Sequence, residues 1–152
     1  MITPSKITNY HRKRYELEEF LLFCVLCAGK SSEIQARKLE EFLGETTQHK
    51  CTPFEIIRWW TDRELLWHMK RAKLGKYKLM GDSFRQLTSA HSLPLLDNWE
   101  TSVQAKRVWL ASYPGIGLKT ASLFLLHSVE GCKMAVLDTH LLKYLRKLYP
   151  KA

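Results

Sequence analysis

Long apolar runs are missing from this sequence: its most apolar stretch, Phe20 to Ala28, is too short to span a membrane and follows charged residues. The N-terminus also lacks the apolar segment and small-residue cleavage site of a secretory signal peptide. We therefore expect an intracellular protein without a membrane partner, cytoplasmic and associated with the nucleoid if the source is bacterial. Disorder is excluded as well, because 45% of the residues are hydrophobic and 11% are aromatic.

Cysteine is scarce, and its spacing completes no metal signature. The four cysteines are Cys24, Cys27, Cys51 and Cys132, and they do not supply the closely spaced thiolates of an iron–sulfur cluster. Cys24 and Cys27 lie in an apolar helical pattern, so both are expected to point into a core. The six histidines also lack metal-binding spacing. No metal site is predicted.

Acidic residues are few compared with basic ones. Lysine and arginine total 24 against 15 aspartates and glutamates, which gives a formal net charge of +9 and a sequence pI near 9.5. This balance favours a polyanionic partner, with nucleic acid the first candidate and a merely soluble basic surface the alternative. Basic residues crowd three segments: His11 to Arg14, Lys70 to Lys78, and Lys143 to Lys151.

Strand patterns, low-complexity tracts and internal repeats are absent. The apolar periodicity is helical almost throughout, and 152 residues suffice for one domain with its own core. The sequence therefore predicts an all-α fold, a compact bundle of about seven or eight short helices. The predicted helices are Glu16 to Ala28, Glu33 to Leu43, Pro53 to Trp60, one from Thr61 towards Leu74, Tyr77 to Ala90, one ending near Ser112, Leu118 to Val129, and Thr139 to Leu148. Predicted capping boxes pair Ser32 with Gln35, Thr52 with Glu55, and Thr61 with Glu64.

The segment PGIGLKTA, Pro114 to Ala121, places two glycines between two predicted helices. Gly115 and Gly117 allow a tight turn and leave amide groups uncovered at a helix N-terminus, where a phosphate can bind. Lys119 lies in the first helical turn, where the helix dipole disfavours an ammonium ion and so favours the free amine that a nucleophile needs. The alternative is a lysine that only grips a phosphate or faces solvent.

The segment VLDTH, Val136 to His140, contributes an aspartate at the start of the last predicted helix. Asp138 suits the N-cap position, where backbone amides stabilise an ionised carboxylate. Because apolar residues flank it on both sides, this carboxylate would lie beside buried structure and could stabilise a cation or handle a proton. The alternative is a helix cap with no further role.

Together, PGIGLKTA and VLDTH strongly resemble the helix-hairpin-helix DNA glycosylases, the superfamily of endonuclease III and the 8-oxoguanine glycosylases. Lys119 holds the place of the family's nucleophilic lysine, and Asp138 that of its catalytic aspartate. Weaker likeness extends to FLLFCVLCAGKSS and LGKYKLMGDSF, so that the resemblance covers about Tyr15 to Tyr149. It implies a single glycosylase-like domain over residues 1–152, with the hairpin motif at about 102–129 and the aspartate segment at 134–149.

The resemblance implies a bifunctional DNA glycosylase and abasic-site lyase of base excision repair, acting on an oxidised base, with 8-oxoguanine favoured. Its partner would be double-stranded DNA with a damaged base flipped into a pocket, and the protein is expected to be a monomer. Lys119 would attack the sugar, Asp138 would stabilise the developing cation, and a Schiff base would lead to β-elimination. The implied DNA-binding residues are Gly115, Ile116, Gly117, Lys119 and Thr120.

The sequence departs from endonuclease III at its C-terminal end and at Gly29 and Lys30. It ends soon after the aspartate helix, so we expect no iron–sulfur tail and only a reduced second lobe. The resemblance allows a monovalent cation at hairpin carbonyls and otherwise no cofactor. Gly29 and Lys30 replace a glutamine-containing segment, so a pyrimidine preference is not assumed.

Three functional alternatives follow from these motifs. Beside the oxidised-base enzyme stand a non-catalytic helix-hairpin-helix DNA-binding module and a glycosylase for mismatched or modified bases. Aromatic residues could stack on a flipped base, but about four of the five tryptophans are expected to serve the core. The tryptophans are Trp59, Trp60, Trp67, Trp99 and Trp109.

Overall fold

The structure, a computed structural model, describes residues 2–44, 51–89, 102–134 and 139–150, with side chains of the last range from residue 143. Within these ranges the chain is all-α, with a short 3-10 turn at Pro4–Lys6 and no strand, which confirms the predicted fold class. The helices are α1 Arg14–Leu26, α2 Ser32–Leu43, α3 Pro53–Trp59, α4 Asp62–Arg71, α5 Tyr77–Ser89, α6 Val103–Ala111, α7 Leu118–Ser128 and α8 Thr139–Leu148. None of the helices in these ranges is both long enough and apolar enough to cross a bilayer.

Helix α1 forms the centre of the fold because it packs against α2, α3 and α7. Every residue from 18 to 26 is buried, as expected of a helix that is covered on several sides. Phe20 contacts Phe124 of α7 with ring centroids 5.8 Å apart. Cys24 is fully buried, as predicted, and burial raises the pKa of its thiol well above the usual range. Cys27 is only half-buried, because it follows the last helical residue.

Two of the three predicted capping boxes are present. The Thr52 hydroxyl accepts from the Glu55 amide at 3.4 Å, and the Thr61 hydroxyl accepts from the Glu64 amide at 3.1 Å. The prediction for α2 is wrong, because Ser31 is the N-cap and Ser32 is already helical. The Ser31 hydroxyl instead donates to the Glu33 carboxylate at 3.1 Å, so it caps no backbone amide of α2.

Helix α4 ends at Arg71, earlier than the sequence predicts. The following turn contains three residues with positive φ angles, namely Lys73 at 56°, Gly75 at 72° and Lys76 at 44°. Backbone in this left-handed region cannot continue a right-handed helix. Side chains from α2 and from the turn before it hold the new direction: the ammonium group of Lys38 donates to the Lys73 carbonyl at 2.8 Å, and that of Lys30 donates to the Leu74 carbonyl at 3.1 Å.

Glu18 is a charged residue in the core, and it ties α1 to the start of α3. Its side chain is 1% exposed, accepts a hydrogen bond from the Phe54 amide at 2.8 Å and pairs with Arg14 at 3.3 Å. The pKa of Glu18 is raised above its ordinary 4.5, because burial outweighs the opposing hydrogen bonds and the positive charge of Arg14. The folded protein therefore binds this proton more tightly than the unfolded chain does.

We expect the pKa of Glu18 to appear in the pH dependence of stability. A raised carboxyl pKa stabilises the fold at acid pH, and this contribution is lost as pH rises from the unfolded value through the folded one. The free energy of unfolding of the wild type should therefore fall relative to that of Glu18→Gln between acid and neutral pH, measured by denaturant titration. Glu40→Gln, at an exposed position of α2, is the control and should follow the wild type. Parallel curves for all three proteins would contradict the assignment.

The expectation that about four of the five tryptophans serve the core is wrong for Trp59 and Trp67, whereas Trp60 and Trp109 do pack against the core. Trp59 is 66% exposed and Trp67 is 59% exposed, while Trp60 and Trp109 are partly buried. Trp99 lies outside the described residues. Phenylalanine fills the centre instead, because Phe20, Phe23, Phe42, Phe84 and Phe124 are all at most 2% exposed.

Candidate functional site

Helices α6 and α7 pack against each other, and residues 112–117 connect them in a tight hairpin. Within it the Tyr113 amide donates to the Leu110 carbonyl at 3.2 Å, and the Ile116 amide donates to the Tyr113 carbonyl at 3.1 Å. Ile116 is 3% exposed and belongs to the core, which anchors the hairpin. Of the residues predicted to bind DNA, Ile116 and Thr120 therefore have buried side chains, and only their backbone can meet a ligand.

The two hairpin glycines are required for different reasons. Gly115 has a φ angle of +79°, and a Cβ atom built there would lie 3.1 Å from Oγ and 3.2 Å from Cβ of Ser83. Gly115 is thus fixed by the fold, both by its backbone conformation and by the close approach of α5. Gly117 has a φ angle of −86°, which any residue adopts, and a Cβ atom there would meet nothing within 4 Å. The space above Gly117 is open.

The first turn of α7 presents free backbone donors towards that open space. Gly117 is the N-cap, and the first intrahelical bond runs from the Ala121 amide to its carbonyl at 3.0 Å. The amides of Leu118, Lys119 and Thr120 therefore precede the helical ladder, and no side-chain cap covers them. Uncovered amides and the positive end of the helix dipole both favour an anion, and the binding of a phosphate here stays a prediction. Leu118 and Lys119 are both exposed beside these amides.

Asp138 lies outside the described residues, so the predicted pairing of Lys119 with Asp138 stays a prediction. The bounds of α8, Thr139–Leu148, agree with those predicted from the sequence.

Arg12 faces inward, whereas the other three residues of the basic segment His11 to Arg14 are exposed. The guanidinium group of Arg12 donates to the carbonyls of Ile7, Asn9 and His127 and lies 3.8 Å from the ring centroid of Phe20. Burial lowers the pKa of Arg12, against the opposing effect of nearby acidic groups. Arg12 therefore fastens the N-terminal segment to the C-terminal end of α7 and is not available to phosphates.

A cavity of about 350 Å³ lies between that N-terminal segment and the start of α1. It is lined by residues that include Asn9, Arg12, Tyr15 and Glu19. Burial and the neighbouring Glu19 raise the pKa of Tyr15 to about 12. Since Arg12 contacts His127, the cavity adjoins the end of α7 opposite to Lys119, about 12 Å away along the helix. The cavity is thus not at the hairpin.

Sequence reasoning missed the part that Ser83 plays in this site. Ser83 is fully buried on α5, and it supports the hairpin through its close approach to Gly115. A signal was present, because the segment LGKYKLMGDSF includes Ser83 and resembles the glycosylase family.

In the described part of the chain no group of three or more histidine, cysteine, aspartate or glutamate side chains is placed to hold a metal ion. A monovalent cation at the hairpin stays a prediction.

Comparison with known proteins identifies solved structures with a similar fold but no match in sequence. No protein-family model and no curated protein sequence matches the chain. Among solved structures, the chain is similar to the 8-oxoguanine DNA glycosylase of Methanocaldococcus jannaschii, with a TM-score of 0.66 and 20% identity over 96% of the chain. A second structure, the same organism's 8-oxoguanine glycosylase/lyase in complex with a 15mer DNA containing 8-oxoguanine, gives a TM-score of 0.69 and 19% identity over 96% of the chain.

The chain has the fold of these glycosylases. This likeness of fold agrees with the resemblance of the sequence motifs PGIGLKTA and VLDTH to the same family. The first observation concerns the backbone and the second only the residue types. The chain spans 64% of the length of the first glycosylase and 67% of the second. The shared fold therefore accounts for less than two thirds of the first protein.

Proposed function

We propose that this protein is a bifunctional DNA glycosylase and abasic-site lyase that removes an oxidised base, with 8-oxoguanine the favoured substrate. The observation that carries the proposal is the position of Lys119 on a glycosylase fold. Its exposed side chain stands in the first turn of α7, two residues after the open N-cap Gly117. Similarity to two structures of an 8-oxoguanine glycosylase supports both the fold and the choice of lesion.

The hairpin supplies the docking that this chemistry needs. The uncovered amides at the start of α7 can hold one phosphate of the DNA backbone, and Gly117 lets that phosphate approach without a side chain in the way. A phosphate bound there brings a neighbouring deoxyribose towards Lys119, since both groups belong to the same helical turn. The positive net charge of +9 favours the approach of the duplex.

The proposed reaction follows from a lysine nucleophile. The free amine of Lys119 forms a bond to C1′ of the damaged nucleotide, the glycosidic bond breaks, and the base leaves with a proton. The carboxylate of Asp138 stabilises the positive charge that develops on the sugar. Opening of the sugar ring gives an imine to Lys119; loss of a proton from C2′ then expels the 3′ phosphate and nicks the strand. A monofunctional glycosylase of this family would not carry lysine at this position, so Lys119 favours the combined activity.

Trapping of the imine tests the proposal directly. Wild-type protein is incubated with borohydride and duplexes that each carry one lesion: 8-oxoguanine, an oxidised pyrimidine, a mismatch or a preformed abasic site. Borohydride reduces the imine to a stable amine, so we expect a covalent protein–DNA adduct with 8-oxoguanine and with the abasic site.

Each outcome of the lesion panel selects one function. An adduct with a mismatch but not with 8-oxoguanine would favour the mismatch glycosylase. Duplex binding without an adduct on any substrate, the abasic site included, would contradict the enzyme and leave the non-catalytic DNA-binding module. That second candidate is kept because the chain spans less than two thirds of the first glycosylase that it resembles.

A further inference from the structure

One face of α4 combines cationic and aromatic side chains that the proposed chemistry does not use. Arg63, Trp67, Lys70 and Arg71 are spaced three or four residues apart and therefore share one side of the helix. All four residues are exposed in the structure. They are called the α4 platform below.

Trp67 is held in place by a row of rings that begins in the core. Phe42, which is fully buried, meets Trp60 with ring centroids 5.4 Å apart. Trp60 stacks on His68 at 3.8 Å, and His68 packs edge-on against Trp67 at 4.9 Å with an angle of 87° between the rings. Each ring limits the movement of the next, so the exposed indole is pre-organised rather than free to rotate.

Arg71 covers one side of the Trp67 indole. Its guanidinium carbon lies 5.0 Å from the ring centroid, which is within the range of a cation–π contact. The same guanidinium group donates to the Glu41 carbonyl at 2.8 Å, in the last turn of α2, where the helix dipole favours a cation. Trp67 is nevertheless 59% exposed, so the part of its indole that Arg71 and His68 do not cover, its open side, is accessible to solvent.

The charge of the platform indicates what binds to that open side. Three cations lie within one helical turn of Trp67, and one of them, Arg71, contacts its ring. Exposed Lys73 follows in the adjoining turn. The nearby Glu64 carboxylate is engaged at the start of α4, where it accepts from the Thr61 amide at 3.3 Å. A rigid aromatic ring among cations is the arrangement that binds single-stranded nucleic acid, because bases stack on the ring while phosphates lie against the cations.

We propose that the α4 platform binds an unpaired stretch of DNA, with one base stacked on the open side of Trp67 and with Arg63, Lys70 and Arg71 against the flanking phosphates. A base in a blunt duplex is already stacked on its neighbours and cannot occupy the indole in this way. The platform thus adds a preference for single-stranded or overhanging DNA. This binding does not require the amine of Lys119, so it stands or falls independently of the glycosylase chemistry.

Equilibrium binding to labelled DNA tests the proposal with three probes: a single-stranded thymidine oligonucleotide, a blunt duplex, and the same duplex with a single-stranded overhang. We expect Trp67→Ala to weaken binding of the single strand by about 5- to 150-fold, the range for loss of one stacked base. The overhang should lose its advantage over the blunt duplex, while binding of the blunt duplex itself should change little. Trp67→Phe keeps a smaller ring and should lose less.

Trp59→Ala is the matched control, because Trp59 is 66% exposed but no cation lies over its ring among the described residues. Its neighbour Arg58 is engaged with the Thr88 carbonyl at 2.8 Å. Single-strand binding by Trp59→Ala should equal that of the wild type. The proposal is overturned if the wild type does not prefer the overhang, if both tryptophan variants weaken binding equally, or if Trp67→Ala weakens the blunt duplex to the same extent. If Trp67→Ala does not fold, Trp67→Phe, which preserves the aromatic row, is compared with Trp59→Ala in the same binding measurements.

Discussion

Lys119→Gln should form no borohydride-trapped adduct, and its rate of strand nicking should fall by at least about 1,000-fold, as expected for loss of a nucleophile. An amide side chain has no lone pair available to attack C1′ and cannot form an imine. The fold should persist, because Lys119 is exposed and its side chain makes no hydrogen bond to the described residues. The measurement is the yield of covalent adduct on the 8-oxoguanine duplex and on the abasic duplex, beside a thermal unfolding curve.

Two further variants distinguish a nucleophile from a lysine that only binds phosphate. Lys119→Arg keeps the positive charge, so we expect it to retain duplex binding and yet to form no adduct, since a guanidinium is not a free amine. Lys133→Gln removes the same charge from an exposed position beyond α7 and should leave adduct formation unchanged. Adduct formation by Lys119→Gln would exclude the proposed mechanism. Equal losses of adduct in Lys119→Gln and Lys133→Gln would indicate that Lys119 contributes only its positive charge.

Gly115→Ala should destabilise the protein by about 1–3 kcal/mol, the usual cost of a side chain in an unfavourable backbone region. The φ angle of +79° strains any residue other than glycine, and the new methyl group would meet Ser83 at 3.1 Å. Because Ser83 is fully buried, it has little room to move aside. Denaturant unfolding measures the loss, and DNA binding should weaken with it as the hairpin shifts.

Gly117→Ala is the informative partner of that variant. Its φ angle of −86° suits alanine, and the methyl group would point into open space. Stability should therefore stay close to that of the wild type, because the smaller entropy loss of alanine on folding offsets its lower preference for the N-cap position. Duplex affinity should nevertheless fall about tenfold, because the methyl group stands over the amides that are proposed to hold a phosphate. Equal destabilisation by the two substitutions would contradict the conclusion that the fold requires Gly115 but not Gly117. Unchanged duplex affinity in Gly117→Ala would contradict the proposed phosphate site at this position.

Local features of the fold were accurately predicted from the sequence. The boxes of Thr52 with Glu55 and Thr61 with Glu64 begin their helices as expected, because each depends on side chains only three residues from the amide that they cap. The apolar periodicity of α5 also agrees with the structure, because Met80, Phe84 and Leu87 recur at helical spacing and are all buried. The exception at Ser31 has the same local character, since two adjacent serines offer the cap and the sequence does not rank them.

Predictions that depended on distant parts of the chain were less successful. About four of the five tryptophans were expected to serve the core, yet Trp59 and Trp67 are exposed and five phenylalanines from α1, α2, α5 and α7 fill its centre. Arg12 belongs to a basic segment of the sequence, yet its contact with His127, more than a hundred residues along the chain, turns it inward. The burial of a residue depends on which distant segments pack against it, and a single sequence does not reveal those contacts.

The order of elements around the hairpin was determined by the sequence alone: a helix, two glycines and a second helix with Lys119 in its first turn. Periodicity and capping depend on residues within one or two helical turns, so they can be predicted from the sequence without any knowledge of packing. Only the tertiary structure decided that Gly115 is required by Ser83 and Gly117 is not, and that Trp67 stands exposed beside Arg71. These depend on contacts between segments far apart in the chain, and such contacts exist only once the helices have packed.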